Sequence, residues 1–281
     1  MVRRLITVSA SPQRAPVADS YNRYYGSGVY DARYPRPNPA TYRSVLRLAR
    51  TAARILDFGA GSGRYALPIL QATDAFVCAY DISADACRAL EHRAESAGIG
   101  SERLLITPYL DAARSAGPYD LVISLFGVLS HIEASEDRID ALNSMRSMLT
   151  GQGRLLLTVP NAVRRFPLHT SSEGQVSEGR SESSVWARTR RYYPSARPVT
   201  YRHTLENAKR PFPYYLYSRR QLASELGAAG FALERLETDS VLPERNLVRS
   251  PILAPVDDVL GLLLPSWTGY GLRATCRVGP Q

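Results

Sequence analysis

The chain has 281 residues, of which 44% are hydrophobic and 22% are charged. This composition is ordinary for a globular enzyme, and the length allows one large core with an insertion. No apolar run approaches the roughly 18 residues that a membrane-spanning helix needs, and the first apolar run is too short for a signal peptide. The three cysteines and four histidines show neither a disulfide framework nor a metal-ligand spacing. We therefore expect a metal-independent, cytoplasmic protein without a membrane partner.

The formal net charge of +9 is concentrated in one segment of the chain. Residues 161–220 carry twelve basic side chains against four acids. Such a concentration favours an anionic partner, either a small phosphate or carboxylate or a nucleic acid. The segment could equally be a solvated face, because arginine replaces lysine almost everywhere in this chain and Lys209 is its only lysine.

The first fifty residues are rich in tyrosine, glycine and proline and contain no clear strand. We interpret residues 1–50 as an N-terminal arm or lid that ends in a helix with Val45 and Leu48 on its apolar face. Short apolar runs, typical of buried parallel strands, follow near 54–58, 75–80, 103–107, 119–125 and 154–159.

The helices between these strands have recognisable ends. Ser83 is placed to cap a helix that runs to about residue 97, where Gly98 can end it, and Ser218 is placed to cap a later helix. Ser135 likewise precedes an apolar stripe, with Gly151 at the position of a left-handed C-terminal residue.

The alternation of strands and helices predicts an α/β fold with a doubly wound, mainly parallel, seven-stranded sheet. Residues 51–160 form its core, residues 161–217 an inserted basic and aromatic lobe that is a lid or substrate lobe, and residues 218–281 complete the sheet. Two partly alternating runs, 231–237 and 270–278, are the expected closing pair of strands.

The most informative motif is Ile-Leu-Asp-Phe-Gly-Ala-Gly-Ser-Gly at residues 55–63. An apolar strand ends near Asp57 and enters a turn with glycine at every second position, where the backbone turns sharply and a ligand can approach closely. The spacing differs from the G-x-G-x-x-G of dinucleotide sites. The second strand is followed by Asp81, which is placed to accept hydrogen bonds from two ribose hydroxyls.

These motifs resemble those of the class I methyltransferases that depend on S-adenosylmethionine (SAM), over roughly residues 50–160. Pro118–Ser124 resembles the fourth-strand motif of that family, residues 149–157 the turn before its fifth strand, and residues 229–231 its Ala-Gly-Phe. The resemblance implies a Rossmann-like fold, SAM as cofactor and S-adenosylhomocysteine as product. The cofactor-binding residues that it implies are Asp57, Gly59, Ala60, Gly61, Gly63, Asp81, Ile82, Asp111, Ser124 and Phe126.

One position departs from the family pattern, which often has an acid directly after the third strand to contact the adenine. Here the stretch reads Thr-Pro-Tyr-Leu-Asp, so either Asp111 reaches the adenine or Tyr109 and Leu110 only pack on it.

The family topology places the segment after the fourth strand between the cofactor and the acceptor, which makes His131 the candidate catalytic base or orienting residue. The alternative is a structural histidine that orients the loop. Tyr21, Tyr24 and Tyr25 could belong to an arm over the cofactor or simply pack. The candidate substrate-binding residues are Tyr25, Arg190, Arg191, Tyr201, Arg202, His203, Arg210 and Tyr215.

Three functions are compatible with these patterns. The first is methylation of a small, anionic metabolite by direct in-line displacement, with arginines holding its phosphate or carboxylate. The second is methylation of tRNA of the wobble-uridine type, since arginine interleaved with aromatic residues also suits unpaired bases. The third is a degenerate SAM-binding scaffold, which the intact glycine motif and Asp81 disfavour.

Overall fold

A computed structural model describes residues 21–22, 25–163, 198–201, 212–250, 252–265 and 268–279. The strands are β1 (Arg54–Phe58), β2 (Phe76–Tyr80), β3 (Leu104–Thr107), β4 (Tyr119–Ser124), β5 (Leu149–Pro160), β6 (Pro198–Tyr201), β7 (Phe212–Tyr215), β8 (Phe231–Thr238) and β9 (Gly271–Val278). The helices are α1 (Val29–Arg33), α2 (Pro39–Ala49), α3 (Ala66–Ala72), α4 (Ala84–Ser96), α5 (Leu110–Ser115), α6 (Ser135–Ser147), α7 (Arg219–Ala228), α8 (Glu244–Arg249) and α9 (Leu253–Leu263). A 3₁₀ turn, Val128–His131, lies between β4 and α6.

Seven of these strands form one sheet in the order β3-β2-β1-β4-β5-β9-β8. The first five are parallel to one another, whereas β9 is antiparallel to both β5 and β8. The predicted doubly wound, mainly parallel, seven-stranded sheet is therefore confirmed. The strand order reverses between β1 and β4, and in open α/β sheets such a switch point opens a crevice at the carboxyl ends of the strands.

The hydrophobic core lies on both faces of the sheet, because successive strand residues point to opposite sides. Leu56 and Val122 belong to one buried cluster, whereas Ile55 and Ile123, their neighbours in sequence, belong to the other. Burial on both faces explains the uninterrupted apolar runs in the middle of the central strands, such as residues 121–123 of β4.

Three of the predicted helix ends are confirmed. The Ser83 hydroxyl accepts the backbone N–H of Ala86 at 3.1 Å, Ser218 accepts that of Gln221 at 3.1 Å, and Gly98 has a φ of +66°.

The expectations for Ser135 and Gly151 are wrong. Ala134 is the residue that precedes α6, and the Ser135 hydroxyl instead donates to Glu225 Oε1 at 3.0 Å. The helix ends at Ser147, because β5 begins two residues later and already includes Gly151. For Ser135, a partner distant in sequence takes the hydroxyl that would otherwise cap the helix.

A buried ion pair joins α6 to α7. Arg138 Nη2 lies 2.6 Å from Glu225 Oε1, and each side chain is only 2% exposed. Glu225 also accepts from the Tyr217 hydroxyl at 2.9 Å and from Gln221 at 3.0 Å, while the Arg138 guanidinium lies 3.8 Å from the ring centre of Tyr215. This network fixes the end of β7 against both helices.

Only part of the predicted inserted lobe is described. Within 161–217, strands β6 and β7 pair antiparallel as a separate two-stranded sheet. Arg190, Arg191, Arg202, His203 and Arg210 lie outside the described residues. The domain boundaries remain predictions.

The connection between β8 and β9 contains two helices, α8 and α9, that were not predicted from the sequence. The Asp257 carboxylate of α9 faces inward and accepts the backbone N–H groups of Val241 at 2.9 Å and Leu242 at 2.7 Å. Among the helices that the structure describes, none combines the length and apolar character needed to cross a membrane.

All three cysteines of the chain are buried as free thiols. Burial raises the pKa of the Cys87 and Cys276 thiols to about 12 and also raises the pKa of Cys78. The Cys87 thiol donates to the backbone carbonyl of Asp81 at 3.5 Å.

Candidate functional site

The glycine motif forms a loop at the carboxyl end of β1. The backbone N–H groups of Gly59 and Ala60 donate to the carbonyl of Tyr80, at 2.8 and 3.0 Å, which ties the loop to the end of β2. Gly61 has a φ of +55°, and a Cβ atom there would lie 2.4 Å from the Tyr25 hydroxyl. At Gly63, with a φ of +83°, a Cβ atom would lie 2.1 Å from Leu90 Cδ1. Both positions therefore require glycine for conformation and for space.

Two buried carboxylates flank this loop. Asp81 Oδ2 accepts the N–H of Gly61 at 2.8 Å, and its Oδ1 accepts the N–H of Ser83 at 2.9 Å. Asp57 is 2% exposed, and within the described part of the chain its Oδ2 has no hydrogen-bond partner. A buried carboxylate oxygen in this situation can receive a cation or a hydrogen-bond donor from a ligand.

Burial perturbs the protonation of both acids. It raises the pKa of Asp57 to about 7, with a further contribution from the charge of Asp81, and it raises the pKa of Asp81 to about 6. Both carboxylates lose their proton only around neutral pH, because burial disfavours the charged form.

The segment after β4 forms the opposite wall of the crevice. Ser124 is 1% exposed at the end of the strand, and Phe126 has a φ of +64°, which is rare for a residue with a side chain. Two hydrogen bonds to Thr158 of β5 hold this conformation: the Phe126 N–H donates to Oγ1 at 2.7 Å and the Gly127 N–H to the carbonyl at 3.0 Å. The strained turn leads directly into the 3₁₀ turn that ends at His131.

The N-terminal arm, here residues 21–34 as far as they are described, packs over the loop. The ring of Tyr21 meets the ring of His131 edge-on, with centres 5.2 Å apart, and Tyr25 lies against Gly61. Asn22 Oδ1 accepts from the hydroxyl of Ser83 at 2.8 Å, next to the Asp81 carboxylate. The arm thus contacts both walls of the crevice.

Aromatic rings line the space between the arm and the β4 wall. Ring centres of Tyr25 and Tyr30 are 4.7 Å apart, those of Tyr30 and Tyr34 5.6 Å, and those of Tyr34 and Phe126 4.6 Å. Burial raises the pKa of Tyr30 to about 12, so its phenol stays neutral at physiological pH.

The Arg64 guanidinium lies among these rings, 5.3 Å from the centre of Tyr34 and 5.1 Å from that of Phe126. Its Nη2 donates to Glu244 Oε1 at 2.7 Å, and both side chains are less than 9% exposed. Sequence reasoning missed Tyr30, Tyr34, Arg64 and Glu244 as site residues. Arg64 could have been noticed beside Gly63, but Glu244 is 180 positions away and carries no local signal.

A small cavity lies next to Phe126, at the carboxyl ends of β4, β5 and β8. Its polar lining includes Thr158, Asp239, Glu244 and Tyr270. Asp239 is held by the Thr41 hydroxyl and lies 3.5 Å from Arg273 Nη1. The cavity continues the crevice toward the second half of the sheet.

The structure brings most of the predicted cofactor residues together around the glycine loop and the end of β4, with His131 and Tyr25 beside them. Ile82 follows Asp81 and is 39% exposed. The Asp111 side chain is 81% exposed and lies 3.9 Å from Arg114, so it does not turn toward the loop. The Tyr215 ring is buried against Arg138, and only the backbone of Tyr201 is described. Contacts of Tyr201 and Tyr215 with a substrate remain predictions.

Comparison with known proteins identifies the family. The sequence profile of a family described as "Methyltransferase domain" matches residues 30–236. No curated protein sequence matches the chain at a significant level.

Many solved structures share the fold. The CcbJ methyltransferase from Streptomyces caelestis is 15% identical, with a TM-score of 0.55 over 87% of this chain and 91% of that chain. Magnesium protoporphyrin IX methyltransferase from Synechocystis PCC 6803, with bound SAM, is 17% identical, with a TM-score of 0.56 over 96% of this chain and 99% of that chain.

The 1,6-didemethyltoxoflavin-N1-methyltransferase from Burkholderia thailandensis is 18% identical, with a TM-score of 0.56 over 98% of this chain and 94% of that chain. At these identities the structures establish the fold alone, while the profile covers well over half of the chain. The chain therefore belongs to the methyltransferase domain family, as the resemblance of its motifs to those of class I SAM-dependent methyltransferases predicts.

Proposed function

We propose that this enzyme transfers a methyl group from SAM to a small, anionic metabolite by direct in-line displacement. The observation that carries the proposal is the N-terminal arm, whose Tyr21 contacts His131 and whose Tyr25 contacts the glycine loop at Gly61. An arm in this position would enclose the crevice and favour a small acceptor held among aromatic side chains.

The residues around the glycine loop fit SAM. The cofactor carries an ammonium group and a ribose diol, and it supplies a methyl group already activated on a positively charged sulfur. Asp57 would hold a cationic group with its buried Oδ2, and Asp81 would accept from the ribose hydroxyls. The glycines let the backbone approach the ligand without a side chain in between.

The protein's own contribution is alignment, exclusion of water and removal of a proton. Alignment of two reactants contributes on the order of 7–11 kcal/mol to lowering a barrier. Tyr21, Tyr25, Tyr30, Tyr34 and Phe126 would orient the acceptor and keep water out. His131 would take the proton that the acceptor loses when its lone pair attacks, an effect of about 10²–10⁴ in rate.

Two observations support a small, anionic acceptor: the names of structural neighbours and the charge of the sequence. Two structural neighbours are named for magnesium protoporphyrin IX and 1,6-didemethyltoxoflavin, both small molecules. The negative charge of the acceptor is inferred from the basic segment 161–220, whose arginines could hold a carboxylate or phosphate.

The proposal is tested by methyl transfer from radiolabelled SAM into a host-cell extract that is then split into small-molecule and RNA fractions. Asp81→Ala serves as the blank, and Asp74→Ala, a change at an exposed acid just before β2, as the matched control. Label in the small-molecule fraction with wild type and the control, absent with the blank, supports the proposal and gives a compound to identify.

Label in ribonuclease-sensitive material would favour the tRNA alternative, in which the basic segment binds RNA. In that case binding should weaken steeply with salt, because phosphate contacts release counterions. Normal SAM binding without transfer into either fraction would favour the scaffold function.

A further inference from the structure

Helix α9 has its polarity reversed relative to an ordinary surface helix. Its buried side carries the Asp257 carboxylate, which holds the N–H groups of Val241 and Leu242. Its solvent side carries a stripe of aliphatic residues that are between 39% and 87% exposed. The stripe, called the α9 patch below, consists of Ile252, Val256, Val259, Leu262, Leu263 and Leu264.

The spacing places four of the six residues of the α9 patch on one face of the helix. Residues 252, 256, 259 and 263 follow one another at i, i+4, i+7 and i+11, which places them on the same face of a helix. A surface helix normally turns such a face inward, and large contiguous apolar patches on a monomer mark interaction sites. We therefore expect the α9 patch to bind an apolar partner.

The charges around the patch are predominantly positive. Arg43 on α2 forms an ion pair with Asp258 of α9, so α2 lies alongside the patch. Arg47 and Arg50 follow Arg43 at helical spacing and are also exposed. On α8, which leads into α9, Arg245 and Arg249 are exposed as well.

Few acids offset these arginines. The acids of α8 and α9 are Glu244, Asp257 and Asp258; the first two are buried, and the third pairs with Arg43. Helix α2 has no acid. An apolar helix face flanked by unbalanced arginines matches the interface of an anionic lipid bilayer, where the side chains enter the acyl boundary and the arginines meet the headgroups.

We propose that the α9 patch attaches this methyltransferase to the surface of an anionic membrane, without spanning it. A second copy of the chain fits less well, because a symmetric contact through α9 would bring the same arginines of α2 and α8 against each other. The proposal differs from the sequence-based expectation that the protein has no membrane partner.

The test is co-sedimentation of the full chain with vesicles of phosphatidylglycerol and phosphatidylcholine, and separately with phosphatidylcholine alone. Leu262→Ser/Leu263→Ser should weaken binding to the anionic vesicles at least roughly tenfold, because two exposed leucines lose their burial in the bilayer. Arg47→Gln/Arg50→Gln should weaken it by about tenfold through lost headgroup attraction. Leu233→Ser, a similar change on the edge strand β8, is the control and should bind like wild type.

Failure of the wild type to bind anionic vesicles, equal binding to both kinds of vesicle, or undiminished binding of the double leucine variant would each overturn the proposal. Light scattering of the wild type and the variants measures their oligomeric state and so tests the alternative that a second copy of the chain covers the patch. If the wild type does not bind vesicles but forms a dimer, and the double leucine variant is a monomer, the α9 patch would be the interface with a second copy instead. Circular dichroism of each variant ensures that a loss of binding does not reflect unfolding.

Discussion

The buried Arg138–Glu225 pair offers a quantitative test of how this fold is held together. We expect Glu225→Gln to destabilise the protein strongly. Glutamine keeps the shape of glutamate, but an NH2 donor replaces one of two oxygens that accept hydrogen bonds here. The change leaves the Arg138 guanidinium, which is 2% exposed, without its counter-charge. Leaving one member of a buried pair uncompensated typically costs about 3–5 kcal/mol.

The chain contains a matched control. Arg154 Nε lies 3.0 Å from Glu234 Oε2, but these side chains are 48% and 29% exposed. Pairs of this kind contribute about 0–1 kcal/mol, so Glu234→Gln should be nearly neutral. The two variants make the same chemical change and differ in the burial of the arginine that is left behind.

Urea unfolding followed by circular dichroism measures both effects, and the Glu225→Gln variant should also show a Tm lowered on the order of 10 °C. Arg138→Met/Glu225→Gln should lose less stability than the two single changes together, because the double variant buries no unpaired charge. Equal losses in Glu225→Gln and Glu234→Gln, or strict additivity in the double variant, would refute the reasoning.

The same pair predicts a dependence of stability on pH. Burial acts to raise the pKa of Glu225, but the hydrogen bonds from Arg138 and Gln221 outweigh it and lower the pKa below its ordinary value. The stabilisation is therefore present at neutral pH and is lost as the pH falls through the lowered pKa. The free energy of unfolding of the wild type should fall in acid as Glu225 gains a proton. The Glu225→Gln variant should lack this part of the pH dependence because its side chain does not titrate.

Three further predictions concern the site. Asp81→Asn should weaken SAM binding at least roughly tenfold in calorimetry, because a charged acceptor is lost; unchanged affinity would remove Asp81 from the cofactor site. SAM affinity should fall as the pH is lowered from 8 to 5.5, since Asp57 and Asp81, with pKa values of about 7 and 6, then gain protons. A flat profile would contradict their role as charged ligands. His131→Gln should lower kcat by about 10²–10⁴ with little change in SAM affinity if His131 is the base; a normal kcat with an altered fold stability would make it structural.

The parts of the fold that the sequence predicted correctly are those with a local signal. Strands such as β1 and β4 have an apolar centre because both faces of the sheet are covered there. Ser83 and Ser218 cap helices through neighbours three positions away. The glycine motif is equally local, since the left-handed φ of Gly61 and Gly63 favours glycine at those positions.

The parts that the sequence reading missed depend on contacts between distant positions. Ser135 fails as a cap because Glu225, 90 positions later, takes its hydroxyl. Glu244 reaches the site across the fold, where it pairs with Arg64 and lines the cavity next to Phe126. Helix α9 has its apolar stripe outside and Asp257 inside, a pattern that periodicity alone assigns to the opposite orientation.

The three buried thiols make the protein a convenient host for site-specific labels. With Cys87 and Cys276 at pKa values of about 12, and Cys78 fully covered, the native chain offers almost no thiolate at pH 7. A cysteine introduced at an exposed position would react far faster with a maleimide than any native one. Leu263→Cys, carrying an environment-sensitive dye, would then report contact between α9 and a bilayer as a spectral shift, with no need to remove the natural cysteines.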